Sequence, residues 1–309
     1  MTLNHIAHCL FTHQTSTQIT WFALLIMSLW LVETVALPQS TTVKWRHTSL
    51  NSLFVLTALP IQIVMMLVVG CVASWTTHCR WGLVHLLPHA DHPLIKYGLM
   101  FLVLDLLDYV YHVTMHHVAP FWRFHLVHHT DQAVDVSTTV REHPGETFIR
   151  NCFLILWVFL CGPSVEILML RQIADTASNL FAHTSVRLPP RSARVLGWLF
   201  ITPNLHHVHH HFELPATNCN YGDVFSFWDR LFGTFMNLPR KDTVFGLQTH
   251  LDGAGEARMR AMIVTGRAHL SKWWKNCALT MGGRSADIDK FLPEVSAFQR
   301  TTSLENSPP

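Results

Sequence analysis

Long apolar stretches separated by short polar ones dominate the first half of the chain. "WFALLIMSLWLVETVAL" (21–37) and "LFVLTALPIQIVMMLVVGCVASW" (53–75) each approach the roughly 20 mostly apolar residues that a helix needs to cross a hydrocarbon core. A third stretch, "LIKYGLMFLVLDLLDYVYH" (94–112), is apolar at first and then turns acidic and aromatic. A fourth, "FIRNCFLILWVFLCGPSVEILML" (148–170), contains Gly162-Pro163, which is expected to kink or end its helix. Residues 171–183 then read as a return arm. The pattern predicts an all-α, integral membrane helical bundle of about four spans. Glu33 falls inside the first span, where it is a candidate functional carboxylate or, more simply, a group close to an interface.

Beyond residue 240 the pattern changes. "GEARMRAMIVTGRAHLSKWWKN" (255–276) mixes five basic residues with Met, Ile and Trp; it fits a basic helix lying on a membrane surface or a solvated helix packed on the main body. "FQRTTSLENSPP" at the end is polar and expected to be disordered. The predicted organisation is a membrane-embedded domain over 1–247 and a cytosolic or membrane-surface segment over 248–309.

Composition sharpens this picture. The 309 residues are 49% hydrophobic and only 14% charged, with a mean hydropathy of +0.23, whereas soluble domains carry about a quarter charged residues. A net charge of +2 supplies no broad basic surface for nucleic acid. The seven cysteines form no C-x-x-C pair, so neither a zinc ribbon nor an iron–sulfur site is signalled. The start lacks Lys and Arg and does not read as a signal peptide. Lys44 and Arg46 mark the 38–52 loop as cytoplasmic. With the N-terminus outside, Arg123, Arg141, Arg187, Arg191 and Arg194 then also fall in the cytoplasm, although the expected outer loop carries Arg80 and Lys96.

The chemistry lies in the histidines. "FHLVHHTDQ" (124–132) and "LHHVHHHFE" (205–213) repeat H-x-x-H-H, and positions i, i+3 and i+4 share one face of a helix. His125, His128 and His129 thus form one expected three-imidazole face, and His206, His209 and His210 a second. His112 and His116 are stacked one turn apart, and His183 lies on the return arm. A lone histidine is ordinarily a surface or satisfied core residue. Repeated clusters in apolar surroundings are not explained that way, because several buried imidazoles need partners. Metal binding is the economical account. Nine ligands exceed one ion, so two metals with about four or five nitrogens each are expected. Asp105 and Asp108 precede His112 on one helical face and are expected to accept imidazole N–H groups; otherwise they cap or solvate a helix end. Asn179, one turn before His183, is a candidate to hold a metal-bound water or simply a packing hydrogen bond.

"LDLLDYVYHVTMH", "FWRFHLVHHTDQAVDVSTTVREHPGE", "FAHTS" and "TPNLHHVHHHFELPATNCNYGDVFSFWDRLFGTF", in that order, resemble the successive signatures of the sterol desaturase / fatty acid hydroxylase superfamily over residues 95–247. The resemblance implies an integral-membrane enzyme with two Fe ions held by histidines at the cytosolic face, using O2 and two electrons to hydroxylate or desaturate a lipid such as a sterol or fatty acyl chain. It implies the ligands His112, His116, His125, His128, His129, His183, His206, His209 and His210, with His143 beside them in a supporting place. Val113, Ser185, His207 and His211 depart from residues common in the family, while every implied ligand is present. Trp122, Phe124 and Trp228 are expected to wall a pocket. No G-x-G-x-x-G, cysteine cluster or haem domain is present, so electrons are expected from a separate ferredoxin, rubredoxin or cytochrome b5-like protein. The alternatives are a non-enzymatic metal-binding or metal-transport membrane protein, which should place polar ligands within several spans; a bis-histidine cytochrome, which needs isolated pairs; and a zinc hydrolase, which needs a general-base Glu as in H-E-x-x-H.

Overall fold

The computed structural model describes residues 14–36, 41–86 and 93–247. The predicted surface helix over 255–276, the polar tail and the segment boundary at 248 lie outside the described residues. Among the described residues there are nine α-helices: α1 (Gln14–Ala36), α2 (Thr41–His78), α3 (Pro93–His117), α4 (Ala119–His129), α5 (Pro144–Cys161), α6 (Val165–His183), α7 (Pro190–Leu196), α8 (Pro203–His209) and α9 (Phe227–Leu231). The only β-pairing among these residues is two isolated bridges, Phe200 with Phe225 and His211 with Phe245. The fold class is all-α.

Among the described residues, three helices are long and apolar enough to cross a membrane: the runs Thr42–His85, Lys96–His117 and Pro144–Cys161. The apolar part of α1, Ala23–Val35, is shorter, so three candidate spans stand where the hydropathy pattern predicts about four. The fourth expected stretch divides at Gly162. Its φ of +62° closes α5, and a Cβ there would overlap the carbonyl oxygen of Trp81, so only glycine fits. The chain then returns as α6, which carries Glu166, Arg171 and Asp175 and is no span candidate.

Packing among the spans is apolar. Val69 and Ala73 of α2 meet Val158 of α5, and Met100 and Leu104 of α3 meet Trp157 and Cys161 of α5 and Ile167 of α6. The opposite face of α2 leaves Leu56, Ile63, Val64 and Leu67 more than half exposed, a lipid-facing stripe in a multi-pass membrane protein. At about 1.5 Å per residue the 38 residues of α2 far exceed a hydrocarbon core of about 30 Å. Its first turns therefore emerge among polar groups. Asn51 there donates to Ser137 Oγ (2.9 Å) and accepts from Arg141 (2.9 Å), and His47 pairs with Asp131 at 2.8 Å. Arg141, wholly buried, also donates to the Val127 carbonyl and to Thr130 Oγ1, each at 3.0 Å. This polar seam ties α2 to the end of α4 and to the 130–141 loop.

Candidate metal centre

Four short pieces of helix bring the histidines together. His112 and His116 lie in the last turns of α3, His125, His128 and His129 in α4, His183 at the end of α6, and His206, His209 and His210 in and just after α8. Proline near the start of α4, at Pro120, and of α8, at Pro203, supplies a φ already suited to a first helical turn. Both can therefore begin abruptly after extended residues.

The nine imidazoles sort into two sets. His112, His116, His125, His129 and His209 form one; His128, His183, His206 and His210 form the other; within each set, one ligand atom per residue lies within 4.8 Å of the rest. The sorting departs from the expected three-imidazole faces. Residues at i and i+4 join the same set, as in His112/His116, His125/His129 and His206/His210, while the i+3 residue turns to the other. The reason is angular. At 100° per residue, i+4 returns within about 40° of i, whereas i+3 falls about 60° to the opposite side. Each His-His dipeptide thus feeds both sets: His129 and His209 go to the first, His128 and His210 to the second.

Which nitrogen faces inward is fixed from behind. In the first set, His112 Nδ1 donates to the Tyr221 carbonyl (2.9 Å), His209 Nδ1 to the Cys219 carbonyl (2.7 Å) and His125 Nδ1 to Glu146 (2.6 Å), while His116 Nδ1 meets Asn218 Oδ1 at 3.2 Å. Carbonyl and carboxylate oxygens only accept, so the proton sits on Nδ1 and the Nε2 lone pair is free. Those four Nε2 atoms are buried and have no partner, and His129 has none at either nitrogen. In the second set His183 Nδ1 donates to the Asn179 carbonyl (2.8 Å) and His128 Nδ1 to the Arg141 carbonyl (3.3 Å).

The Nε2 lone pairs of His183 and His128 then face one another at 3.0 Å, with His206 Nε2 also 3.0 Å and His210 Nε2 3.2 Å from His183. Two lone pairs cannot hydrogen-bond. A tetrahedral ion with bonds of about 2.0–2.1 Å sets its nitrogens about 3.3 Å apart, close to these separations. Buried orphan nitrogens in one set and opposed lone pairs in the other are what a metal-ligating donor set requires, and the residues fit metal ions in both.

Electrostatics favour the neutral form at six of the rings. Burial, reinforced by neighbouring imidazoles, pushes His128, His129, His206 and His210 well below the ordinary histidine range. His209 falls to about 3 and His183 to about 4, again mainly through burial. Neutral imidazole is the ligating form.

The expected supporting residues are placed differently. Asp105 accepts from the Trp228 indole (2.7 Å) and the Val224 amide (3.2 Å), and Asp108 is ion-paired with Arg171. A rise of 1.5 Å per residue separates Asp105 from His112 by about 10 Å and Asp108 by about 6 Å along the axis, and neither contacts an imidazole of the two sets through a hydrogen bond. They brace α3 against the α9 region and α6 instead. His143 caps α5 by accepting from Gly145 N (2.9 Å) and packs on Phe124. The Asn179 side chain donates to Asp175 (3.0 Å), and its carbonyl holds His183. Trp122 lies 4.8 Å, ring to ring, from His116, whereas Trp228 faces Asp105.

The imidazoles are oriented by Glu146, Asn218 and four backbone carbonyls. Glu146 stands three residues after His143 in the quoted "REHPGE". Asp229 accepts from the amides of Tyr221 (2.7 Å) and Gly222 (3.0 Å) and from Thr234 Oγ1 (2.8 Å). It thereby fixes the carbonyl that holds His112, a physical role for the N-Y-G and W-D portions of the last motif.

A cavity of about 260 Å³ reaches both sets. Its lining includes His112, His125, His128, His183 and His206, Phe153, Leu154 and Trp157 of α5, and the Asp108–Arg171 pair with Asp175, Asp223 and Asn179.

Comparison with known proteins accords with this geometry. The fatty acid hydroxylase family model matches residues 97–234, which include all nine clustered histidines. The chain is 31% identical over 132 residues to an ornithine lipid hydroxylase, OlsE, of Rhizobium tropici, covering 43% of this chain and 39% of that one. It is 29% identical over 147 residues to an alkylglycerol monooxygenase of Caenorhabditis elegans (47% and 28%) and 30% identical over 162 residues to the human alkylglycerol monooxygenase (52% and 34%). The chain thus spans only about a third of the length of these curated relatives. No solved structure matches. The ordered motifs and the paired histidine sets coincide with the stretch, residues 97–234, that matches the fatty acid hydroxylase family.

Proposed function

We propose that this protein is a membrane di-iron lipid hydroxylase that uses O2 and two electrons from a separate electron-transfer protein, with its centre on the cytoplasmic face. The observation that carries the reading is the pair of adjoining histidine sets, nitrogen donors throughout, on a cavity that also touches the apolar α5. Two iron ions held by His112, His116, His125, His129 and His209 on one side and His128, His183, His206 and His210 on the other would supply the O2 activation needed to break an unactivated C–H bond. Nitrogen-only ligation leaves the metal charge uncancelled, and a high ligand count helps retain iron(II), a weakly held divalent ion.

The chain's own groups do the remainder. Glu146, Asn218 and the Tyr221 and Cys219 carbonyls keep protons on Nδ1 and present the opposite nitrogens inward. Burial of the rings excludes water that would compete for the site. Phe153, Leu154 and Trp157 give the cavity an apolar wall along which a lipid chain can lie. The acidic and basic groups on its other side suit a lipid whose polar end stays at the membrane surface. Relatives named for ornithine lipid and alkylglycerol substrates support a lipid substrate and hydroxylation over desaturation.

Metal analysis and an oxygen-dependent assay on membrane lipids test this together. Wild type is expected to hold two iron ions per chain and to convert a lipid when supplied with O2 and electrons; His128→Ala loses metal and conversion together, whereas His269→Ala, at a position outside the described residues, changes neither. Full iron occupancy in His128→Ala would overturn the ligand assignment.

A further inference from the structure

A second cavity, of about 430 Å³, lies apart from the one that reaches the histidine sets. It is lined by the end of α1, the start of α2, the 132–135 turn, the 185–187 loop and the 240–245 strap. Its charges pair unevenly. Glu33 accepts from Lys44 Nζ (3.1 Å) and from the amides of Ser185 (2.7 Å) and Val136 (3.1 Å), so that carboxylate and that ammonium are matched. His47 lies between Asp131 (2.8 Å) and Asp135 (3.3 Å). Two guanidinium groups remain, Arg187 and Arg240.

Arg187 is half-buried, and its Nε donates to His207 Nδ1 at 2.9 Å. Its two terminal nitrogens have no protein acceptor among the described residues. Its charged neighbour is Arg240, and burial together with that like charge pushes the Arg187 guanidinium down to about 10. Glu33 and Asp135 line the same cavity but are engaged by Lys44 and His47, and neither arginine is ion-paired with a carboxylate among the described residues; a partly desolvated arginine beside a second one is unfavourable without an anion. A guanidinium presents parallel N–H groups that match two oxygens of a phosphate.

The surroundings indicate the source. Trp30 and Trp45 pack with ring centroids 5.0 Å apart where α1 gives way to α2, and tryptophan gathers at membrane–water interfaces. Beside the cavity, Val35, Val43 and Trp45 are more than half exposed, as expected of groups that face lipid. The cavity therefore opens at headgroup depth. We propose that it is an oxyanion site in which Arg187 and Arg240 bind the phosphate of a membrane phospholipid, separate from the reacting lipid and independent of the metal centre.

Full-length, metal-loaded protein tests this in two arms. Native mass spectrometry from detergent counts retained phospholipid in wild type, Arg187→Met and Arg240→Gln. Separately, delipidated protein is titrated with inorganic phosphate and followed by thermal unfolding against chloride at equal ionic strength. Wild type is expected to keep one phospholipid that both variants release, with affinity reduced about 10-fold or more, as for loss of a hydrogen bond to a charged group. Saturable stabilisation by inorganic phosphate that both variants lose, with no difference in retained lipid, keeps the oxyanion site and assigns it to a soluble anion. Equal lipid retention and equal phosphate response in wild type and Arg240→Gln overturns the proposal. Arg240 is exposed, so that variant stays informative even if Arg187→Met fails to fold.

Discussion

Replacing Glu146 with glutamine isolates one support of one histidine set. The carboxylate receives His125 Nδ1 at 2.6 Å, and both side chains are nearly sealed from solvent, with 7% and 6% exposure. Glutamine preserves shape and can still offer a carbonyl to the same N–H, so the ring stays in place while the bond loses its charge. A hydrogen bond to a charged group contributes about 1.5–3 kcal/mol and a neutral one about 0.5–1.5 kcal/mol. The difference, about 1–1.5 kcal/mol, corresponds to roughly 10-fold in affinity. Alanine removes the acceptor altogether and should approach the upper end of the 10–100-fold range typical of outer partners of metal ligands. The effect should be confined to the five-histidine set, since Glu146 contacts no ring of the other through a hydrogen bond. Dialysis against a graded chelator series, with metal content read by elemental analysis, should show Glu146→Gln passing from two ions per chain to one at a chelator strength where wild type keeps both. Retention indistinguishable from wild type, or simultaneous loss of both ions, refutes the view that the two sets are oriented separately.

Three further outcomes follow from the same contacts. Arg141→Met leaves Asn51, the Val127 carbonyl and Thr130 without their buried donor and should cost about 3–5 kcal/mol, read as a lower unfolding midpoint in detergent; an unchanged midpoint removes the polar seam from the account of stability. Asp229→Asn turns an acceptor of three donors into a group with an N–H facing one of them, at a cost of about 1–3 kcal/mol, and should loosen metal from the five-histidine set through Tyr221 and His112; a variant with wild-type stability and metal affinity contradicts that chain of contacts. Metal-free protein should lose stability as pH falls from 7 to 5. The unfolded chain takes protons near pH 6.5, whereas folded His183 and His209 resist until about 4 and about 3 and His128, His129, His206 and His210 are likewise depressed, so the unfolded state binds more protons and each histidine removes up to about 1.4 kcal/mol per pH unit. Asp229, raised to about 6 by burial, and Asp223, raised well above its ordinary value, act in the opposite direction but are outnumbered. A midpoint that holds or rises on acidification contradicts buried neutral imidazoles.

Elements written in local pattern were legible in the sequence. Apolar length marks α2, α3 and α5, and Gly162-Pro163 marks the end of α5 because φ there must be positive. Repeated H-x-x-H-H spacing picks out the histidines that meet. Their division into sets was less visible, since face-sharing treats i+3 and i+4 alike, and only a close pair of sites makes the roughly 100° between them matter. The orienting groups were harder still. The Tyr221, Cys219, Arg141 and Asn179 carbonyls carry no residue signature, and their positions come from tertiary contacts such as Asp229 to the Tyr221 amide. Asp105 and Asp108 share the helical face of His112, but the face says nothing of height along the axis, and tertiary partners in α6 and near α9 claim them. Glu146 was visible within "REHPGE", yet the residue it serves lies on another helix. The oxyanion cavity joins α1, α2 and three loops distant in sequence, and no local spacing announces it.

The dipeptides His128-His129 and His209-His210 also constrain how the centre can work. Each spans the two sets, and adjacent Cα atoms are 3.8 Å apart across a trans peptide. The sets are therefore linked twice, through α4 and through the end of α8, by the shortest connection a backbone allows. Neither helix can shift one set without carrying a ligand of the other. His183 is different. It belongs to the second set alone, sits at the last residue of α6, and is held by the Asn179 carbonyl one turn earlier. A small movement at the end of α6 therefore changes only the second set, while the five-histidine set stays fixed by α3, α4 and α8. If one side of the centre opens to admit O2 or a substrate carbon, the connectivity selects the side that His183 completes.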